Sequence, residues 1–121
     1  MNNTKSVGSF GEKAAAEYLM GKGYLILERN YSCRYGEIDI IAQADGFLVF
    51  AEVKTRKNAA FAQAREYVSR AKQQRILTTA QLWLSEHGLD NCQPRFDVIE
   101  VYAPHGGKGL LRVNHIEDAF M

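Results

Sequence analysis

The sequence predicts an α/β sandwich: a mixed β-sheet flanked by helices, in the order α-β-β-β-α-β-β. Three observations carry this. Apolar residues recur at helical spacing near the N-terminus and again after residue 63. Between and after these segments lie β-rich runs bounded by turn residues. The strand that precedes the long second helix must cross over through it to reach the next strand, which makes the sheet a mixed one.

Taken in order, Val7, Phe10, Gly11, Ala14, Ala15, Tyr18 and Leu19 form one helical stripe, closed by Gly21 and Gly23. Tyr24–Tyr31 (YLILERNY) is the first strand, and Ser32–Gly36 is turn-prone. Asp45-Gly46 joins two alternating apolar runs, the strongest short-range hairpin signal a sequence offers, and this hairpin belongs at the centre of the domain. A second helix is predicted over Gln63–His87 from the stripe Ile76, Leu77, Ala80, Trp83 and Leu84, with His87-Gly88 as its stop. Val68 and Ala71 stand off that stripe. Arg95–Val101 and Leu110–Ile116 are the last two strands, separated by the glycine-rich loop His105–Gly109, and a short helical turn follows.

With 121 residues, 46% of them hydrophobic, the chain is long enough for one core and short for two, so a single domain over residues 1–121 is expected. The net charge of +1 excludes an indiscriminate polycation. The charge is nevertheless uneven: Lys54, Arg56, Lys57, Arg65, Arg70, Lys72 and Arg75 face a single acid, Glu66, so a local basic surface is expected. Cys33 and Cys92 form no CxxC pair, and the first twenty residues hold no uninterrupted apolar run. A cytoplasmic protein without a membrane span is the simplest reading. His87, His105 and His115 lack zinc-ligand spacing.

The central hairpin raises the functional question, because Glu37, Asp39, Glu52 and Lys54 interrupt strands that otherwise read as buried. Counting out from a two-residue turn, Ala44 faces Phe47, Ile41 faces Phe50, Asp39 faces Glu52 and Glu37 faces Lys54. Opposed residues have Cβ atoms roughly 4.5–5.5 Å apart, so two carboxylates would repel unless a cation lay between them. Mg²⁺ or Mn²⁺ suits such a site, since a hard cation takes carboxylate oxygens and keeps water and substrate phosphate as its other ligands. A lysine beside it can orient or deprotonate a water. The competing reading is a solvated hairpin face with Glu37 and Lys54 as an ordinary ion pair. The apolar neighbours Ile41, Leu48 and Phe50 argue against full solvation.

Asp39 followed by Glu52-Val-Lys54 resembles the PD-(D/E)XK nuclease signature, with Ile38 where the signature name has proline. The wider pattern is similar to the small bacterial YraN-like family. It comprises Gly11-Glu12 on the first helix, Gly36-Glu-Ile-Asp-Ile-Ile-Ala42, Phe50-Ala-Glu-Val-Lys-Thr-Arg56, Lys72 and Arg95-Phe-Asp-Val98. That family in turn resembles the archaeal Holliday junction resolvases. The resemblance implies a restriction-endonuclease-like fold, with Asp39 and Glu52 as metal ligands, Lys54 handling the attacking water and Glu12 as an added acid. It also implies DNA, including branched or damaged DNA, as substrate, and a two-fold dimer would suit a four-way junction.

Each of these residues has a plainer role open to it. Ser9-Phe-Gly-Glu12 matches a capping box, which would occupy Glu12 at the start of the helix. Asp97 would be a third carboxylate, or a strand-edge acid held by Arg95 or by backbone. Arg56, Arg65, Lys72 and Arg75 would bind phosphates, or else lie on a solvated face. Three functions follow from these choices. The first is a metal-dependent endonuclease acting on DNA, the second a non-catalytic nucleic-acid-binding module of a repair or processing complex, and the third a structural protein with a charged surface hairpin.

Overall fold

The computed structural model describes residues 3–56, 68–102 and 112–120, with side chains from Phe10 onward. Seven elements follow in the expected order: α1 (Asn3–Gly21), β1 (Leu25–Cys33), β2 (Gly36–Ala44), β3 (Phe47–Arg56), α2 (Arg70–Glu86), β4 (Gln93–Tyr102) and β5 (Arg112–Ile116). The strands form one mixed sheet in the order β1-β2-β3-β4-β5. β3 and β4 run parallel and the other pairs antiparallel. The helix between β3 and β4 is therefore the crossover that the sequence order demanded. Residues 63–67 of the predicted second helix, the loop His105–Gly109 and the first two residues of the predicted last strand lie outside the described residues.

The helices pack on opposite faces of the sheet. Ala15, Ala16 and Leu19 of α1 bury Ile40, Ala42, Ala44, Val49, Ala51, Ile99 and Val101. Ile76, Ala80, Trp83 and Leu84 of α2 bury Ile41, Leu48, Phe50, Phe96 and Val98. Alternation along β2 and β3 thus divides the hairpin between two cores, and both of its faces are covered.

Local chemistry explains most boundaries. Asp45 (φ 50°) and Gly46 (φ 83°) both take the left-handed backbone that a two-residue primed turn requires, so the register is the one counted from the sequence as far as Ile40↔Ala51. α1 ends in a Schellman motif, with Tyr24 N–H bonded to the Leu19 carbonyl (3.0 Å) and Gly23 N–H to that of Met20 (3.0 Å). α2 ends the same way, Leu89 N–H reaching the Leu84 carbonyl (2.8 Å) and Gly88 N–H that of Ser85 (3.2 Å).

Three boundaries differ from expectation. α2 starts at Arg70 because Ser69 is its N-cap, extended (φ −62°, ψ 159°) and accepting the Lys72 amide (3.1 Å). α1 starts at Asn3, which puts Ser9 inside the helix and rules out the capping box. After β5 the chain makes a tight turn at Asp118 (φ 53°) rather than a helix, and Ala119 N–H bonds to the Phe96 carbonyl (2.7 Å).

The α1 interface is built on small residues, and Gly11 is its tightest point. A methyl group there would collide with Thr55 Oγ1 and lie 3.2 Å from Thr55 Cβ. Gly11→Ala is therefore expected to cost about 1–3 kcal/mol by overpacking, although helix propensity alone would make it stabilising by about 1 kcal/mol. Adding Thr55→Ala should recover most of the loss, and a denaturant double-mutant cycle reads the coupling directly.

Candidate functional site

The hairpin ladder stops short of its charged residues. β2 and β3 pair through Ile40↔Ala51 and no further, and Asp39 has no partner in the β1–β2 ladder either, where Arg29↔Ile40 is followed by Tyr31↔Ile38. The neighbouring strand β1 is irregular at the same point. Asn30, opposite Asp39, sits at φ 55°, a left-handed residue that reverses the strand's alternation. Ile38 and Ile41 share the α2 core while Ile40 belongs to the α1 core. Asp39 stands at the reversal and turns sideways, its Oδ2 accepting the Val53 amide at 2.7 Å.

Asp39 and Glu52 are each only 9% exposed, which disposes of the solvated-hairpin reading. Glu52 carries two ammonium groups on Oε1: Lys72 Nζ at 2.7 Å and Lys54 Nζ at 3.9 Å. Burial, followed by the charge of Glu52, pushes the Asp39 carboxyl up to about 7, with Glu12 and Glu37 adding to the effect and the Val53 amide opposing it. Burial and the neighbouring Lys72 hold the Lys54 ammonium below its usual range, against the pull of Glu52 and Asp39. For Lys72 burial acts downward, but the bond and charge of Glu52, joined by Lys54 and Asp39, together outweigh it and raise the ammonium's pKa.

Asp39, Glu52, Lys54 and Lys72 thus form one electrostatic group, and the half-buried Glu12 of α1 contributes to its field. Glu37 is exposed, and the Glu37–Lys54 pair suggested by the turn count does not form, because the ladder ends first. Arg56 is half-buried at the end of β3, its Nε bonded to Glu100 Oε2 at 3.3 Å. Arg75 is exposed on α2, and Arg65 lies outside the described residues.

The donor set suits a hard cation. Two carboxylates are buried together, and one of them is pushed towards its neutral form by burial and then by the charge of the other, a strain that positive charge would relieve. Asp39 and Glu52 are the residues that would hold it. Among the described residues no group of three or more His, Cys, Asp or Glu side chains is placed to hold a metal, so water and substrate would have to complete the shell. The cleft of about 640 Å³ beside α2, lined by Tyr35, Leu82, Cys92 and Pro94 among others, includes none of these residues.

Asp97 belongs elsewhere. It lies in β4 between two strands, fully buried rather than at an edge, and its carboxylate accepts from Arg95 Nε (3.0 Å) and Nη2 (2.8 Å) and from the Asp118 amide (3.0 Å). His115 Nε2 lies 2.7 Å from it. This cluster, joined by Tyr24 through Arg95 Nη2 (2.7 Å), ties β4 to β5 and to the α1–β1 turn. Sequence reasoning missed two residues near the site: Lys72 as a partner of Glu52, and Glu100, buried beside Lys54 in the β3–β4 register. Glu100 carried the same signal as Glu52, a charge inside the apolar run Val98-Ile-Glu-Val101.

The molecule is therefore a small mixed α/β protein with a buried carboxylate pair and two lysines where its central strands part. It belongs to the uncharacterised protein family UPF0102, whose model matches residues 11–101, a span containing Glu12, Asp39, Glu52, Lys54 and Lys72. It is 49% identical over 118 residues to a UPF0102 protein of Caldanaerobacter subterraneus subsp. tengcongensis, covering 98% of this chain and 97% of the relative. Identity to a UPF0102 protein of Clostridioides difficile is 45% over 118 residues, with 98% and 99% covered. A UPF0102 protein of Geotalea daltonii is 43% identical over 119 residues, with 98% and 92% covered. The names of these relatives state no activity. Among the described residues no helix is long and apolar enough to cross a membrane.

The raised Asp39 pKa fixes a pH dependence for the metal-free protein. Between the ordinary value of 3.8 and about 7 the folded chain binds a proton that the unfolded chain has released, so stability falls as pH rises through that window. The cost is complete above it and absent below 3.8. In chelator, the melting temperature of wild type should drop more between about pH 5 and about pH 8 than that of Asp39→Asn. The variant should be the more stable at the alkaline end by a few kcal/mol, each pKa unit being about 1.4 kcal/mol. Parallel pH profiles for the two proteins would contradict the burial of a charged Asp39.

Proposed function

We propose that this protein is a metal-dependent endonuclease that hydrolyses DNA phosphodiester bonds, with branched or damaged DNA as its substrate class. The observation that carries the reading is the buried Asp39–Glu52 pair with Lys54 and Lys72 gathered on Glu52. Its supports are the PD-(D/E)XK-like order of these residues and the mixed sheet that carries them.

In this reading Asp39 and Glu52 hold Mg²⁺ or Mn²⁺, which when bound supplies an acidified water and neutralises charge on the scissile phosphate. Lys54, its ammonium already destabilised by burial and by Lys72, is the group suited to orient the attacking water and take its proton. Glu12 adds a carboxylate from α1, on the far side of the hairpin from α2. Arg75, exposed on α2, is a cation placed to meet a neighbouring phosphate.

The test is cleavage of linear, flapped and four-way DNA with Mg²⁺ or Mn²⁺. Glu52→Ala should abolish cleavage, and Lys54→Met should slow it about 10²- to 10⁴-fold as a lost proton-transfer group. Thermal melts supply an independent readout. Mn²⁺ should stabilise wild type by mass action and leave Glu52→Gln unmoved, with matched NaCl as the ionic-strength control. Salt-dependent DNA binding without cleavage or a cation-specific shift would instead assign the protein to the nucleic-acid-binding modules.

A further inference from the structure

The shortest contact of Glu52 is with Lys72, a residue that the charge pattern alone would place on an open phosphate-binding strip. Lys72 reaches Glu52 from the first turn of α2, and its main chain is fixed there: Ser69 accepts the Lys72 amide (3.1 Å), and Gln73 Nε2 donates to the Val68 carbonyl (2.9 Å). Its side chain is 35% exposed where that of Glu52 is 10%, so it runs from solvent inward to a buried carboxylate. Lys54, the second cation on the same oxygen, stands off at 3.9 Å.

We propose that Lys72 is the built-in counter-ion of this site: its ammonium occupies the face of Glu52 that a divalent cation requires, and it must swing away when the cation binds. This rests on Asp39 and Glu52 being the cation's ligands, as read above. A buried carboxylate left without a positive partner is costly, so a site that is to be empty between turnovers needs a resident charge. A lysine serves better than an arginine here. It is a single point charge on a flexible four-carbon stem, able to leave without disturbing a forked geometry. Once released, the Lys72 ammonium stands beside the site on an anchored helix turn, where an incoming phosphodiester would offer it a new anion. The strip cation inferred from sequence and the Glu52 partner seen in the structure are then two positions of one side chain.

Calorimetric titration with Mn²⁺ alone tests the proposal, using the full chain as wild type, Lys72→Met, Arg70→Gln and Asp39→Asn. Removing a resident competitor should tighten Mn²⁺ binding about tenfold in Lys72→Met, the equivalent of one lost ion pair. Arg70 is exposed on the same helix turn and makes no contact with Glu52 among the described residues, so Arg70→Gln reports the general loss of positive charge and should change affinity less than about twofold. In the same samples, acylation of the Lys72 amine, followed by mass spectrometry, should accelerate when Mn²⁺ is added to wild type. Equal or weaker Mn²⁺ binding by Lys72→Met overturns the counter-ion role while leaving the carboxylates as ligands. So does slower labelling of Lys72 with Mn²⁺, or an equal gain in Arg70→Gln. Absence of Mn²⁺ binding in both wild type and Lys72→Met overturns the ligand assignment itself, and the counter-ion role with it.

Discussion

The candidate site depends on one hydrogen bond made by the wrong kind of acceptor. Where β2 and β3 would continue their ladder, the Val53 amide is held by a side chain, Asp39 Oδ2, at 2.7 Å. A carboxylate that substitutes for main chain at the end of a ladder ends the pairing, yet leaves no buried donor unsatisfied. Asp39 is thereby fixed in the plane of the sheet, next to the residue that precedes Val53, which is Glu52. The proximity of the two acids follows from strand connectivity and needs no loop to arrange it.

The remaining architecture works around that point. The sheet face carrying Leu48 and Phe50 continues into Glu52 and then Lys54, so an apolar surface becomes a charged one within a single strand. α2 covers the apolar part through Ile76, Ala80 and Trp83, and its first turn brings Lys72 to the edge of the charged part. The ring of Phe50 contacts those of Phe96 at 5.6 Å and Trp83 at 6.0 Å, and holds the helix against the sheet. On the other face, a separate cluster of Arg95, Asp97, His115 and Tyr24 satisfies a second buried acid completely. The contrast is instructive: burial acts upward on both acids, but Asp97 is bonded by Arg95, His115 and the Asp118 amide and is held below the usual carboxylate range, whereas Asp39 has one main-chain bond and the charge of Glu52 beside it and is pushed up to about 7.

Much of this was legible in the sequence, for identifiable reasons. The Asp45-Gly46 turn and the two glycine helix stops encode their geometry within a few residues, so the hairpin register as far as Ile40↔Ala51 and both helix ends could be read directly, while the pairings counted beyond it, Asp39 with Glu52 and Glu37 with Lys54, do not form. The order of elements followed from periodicity and from the crossover requirement. Other features depend on contacts that local pattern does not carry. The start of α2 was misjudged because charged residues ahead of Ser69 are compatible with a helix. The lateral turn of Asp39 coincides with a left-handed Asn30 in a neighbouring strand. The Lys72–Glu52 pair joins residues twenty positions apart in the chain through tertiary packing, and a helical wheel records only that Lys72 is charged.

Gly11 gives the fold a measure of distance. The absence of a single side-chain carbon at this position allows α1 to lie against Thr55 of β3, and the next residue along the helix is Glu12, whose charge is felt by Asp39. A helix held one methyl radius further out would carry that carboxylate with it, and the influence of one charge on another weakens with separation. The Gly11-Glu12 dipeptide therefore acts as a spacer and its load: the first residue sets how close the helix stands, and the second converts that closeness into electrostatic potential at Asp39, within the sheet.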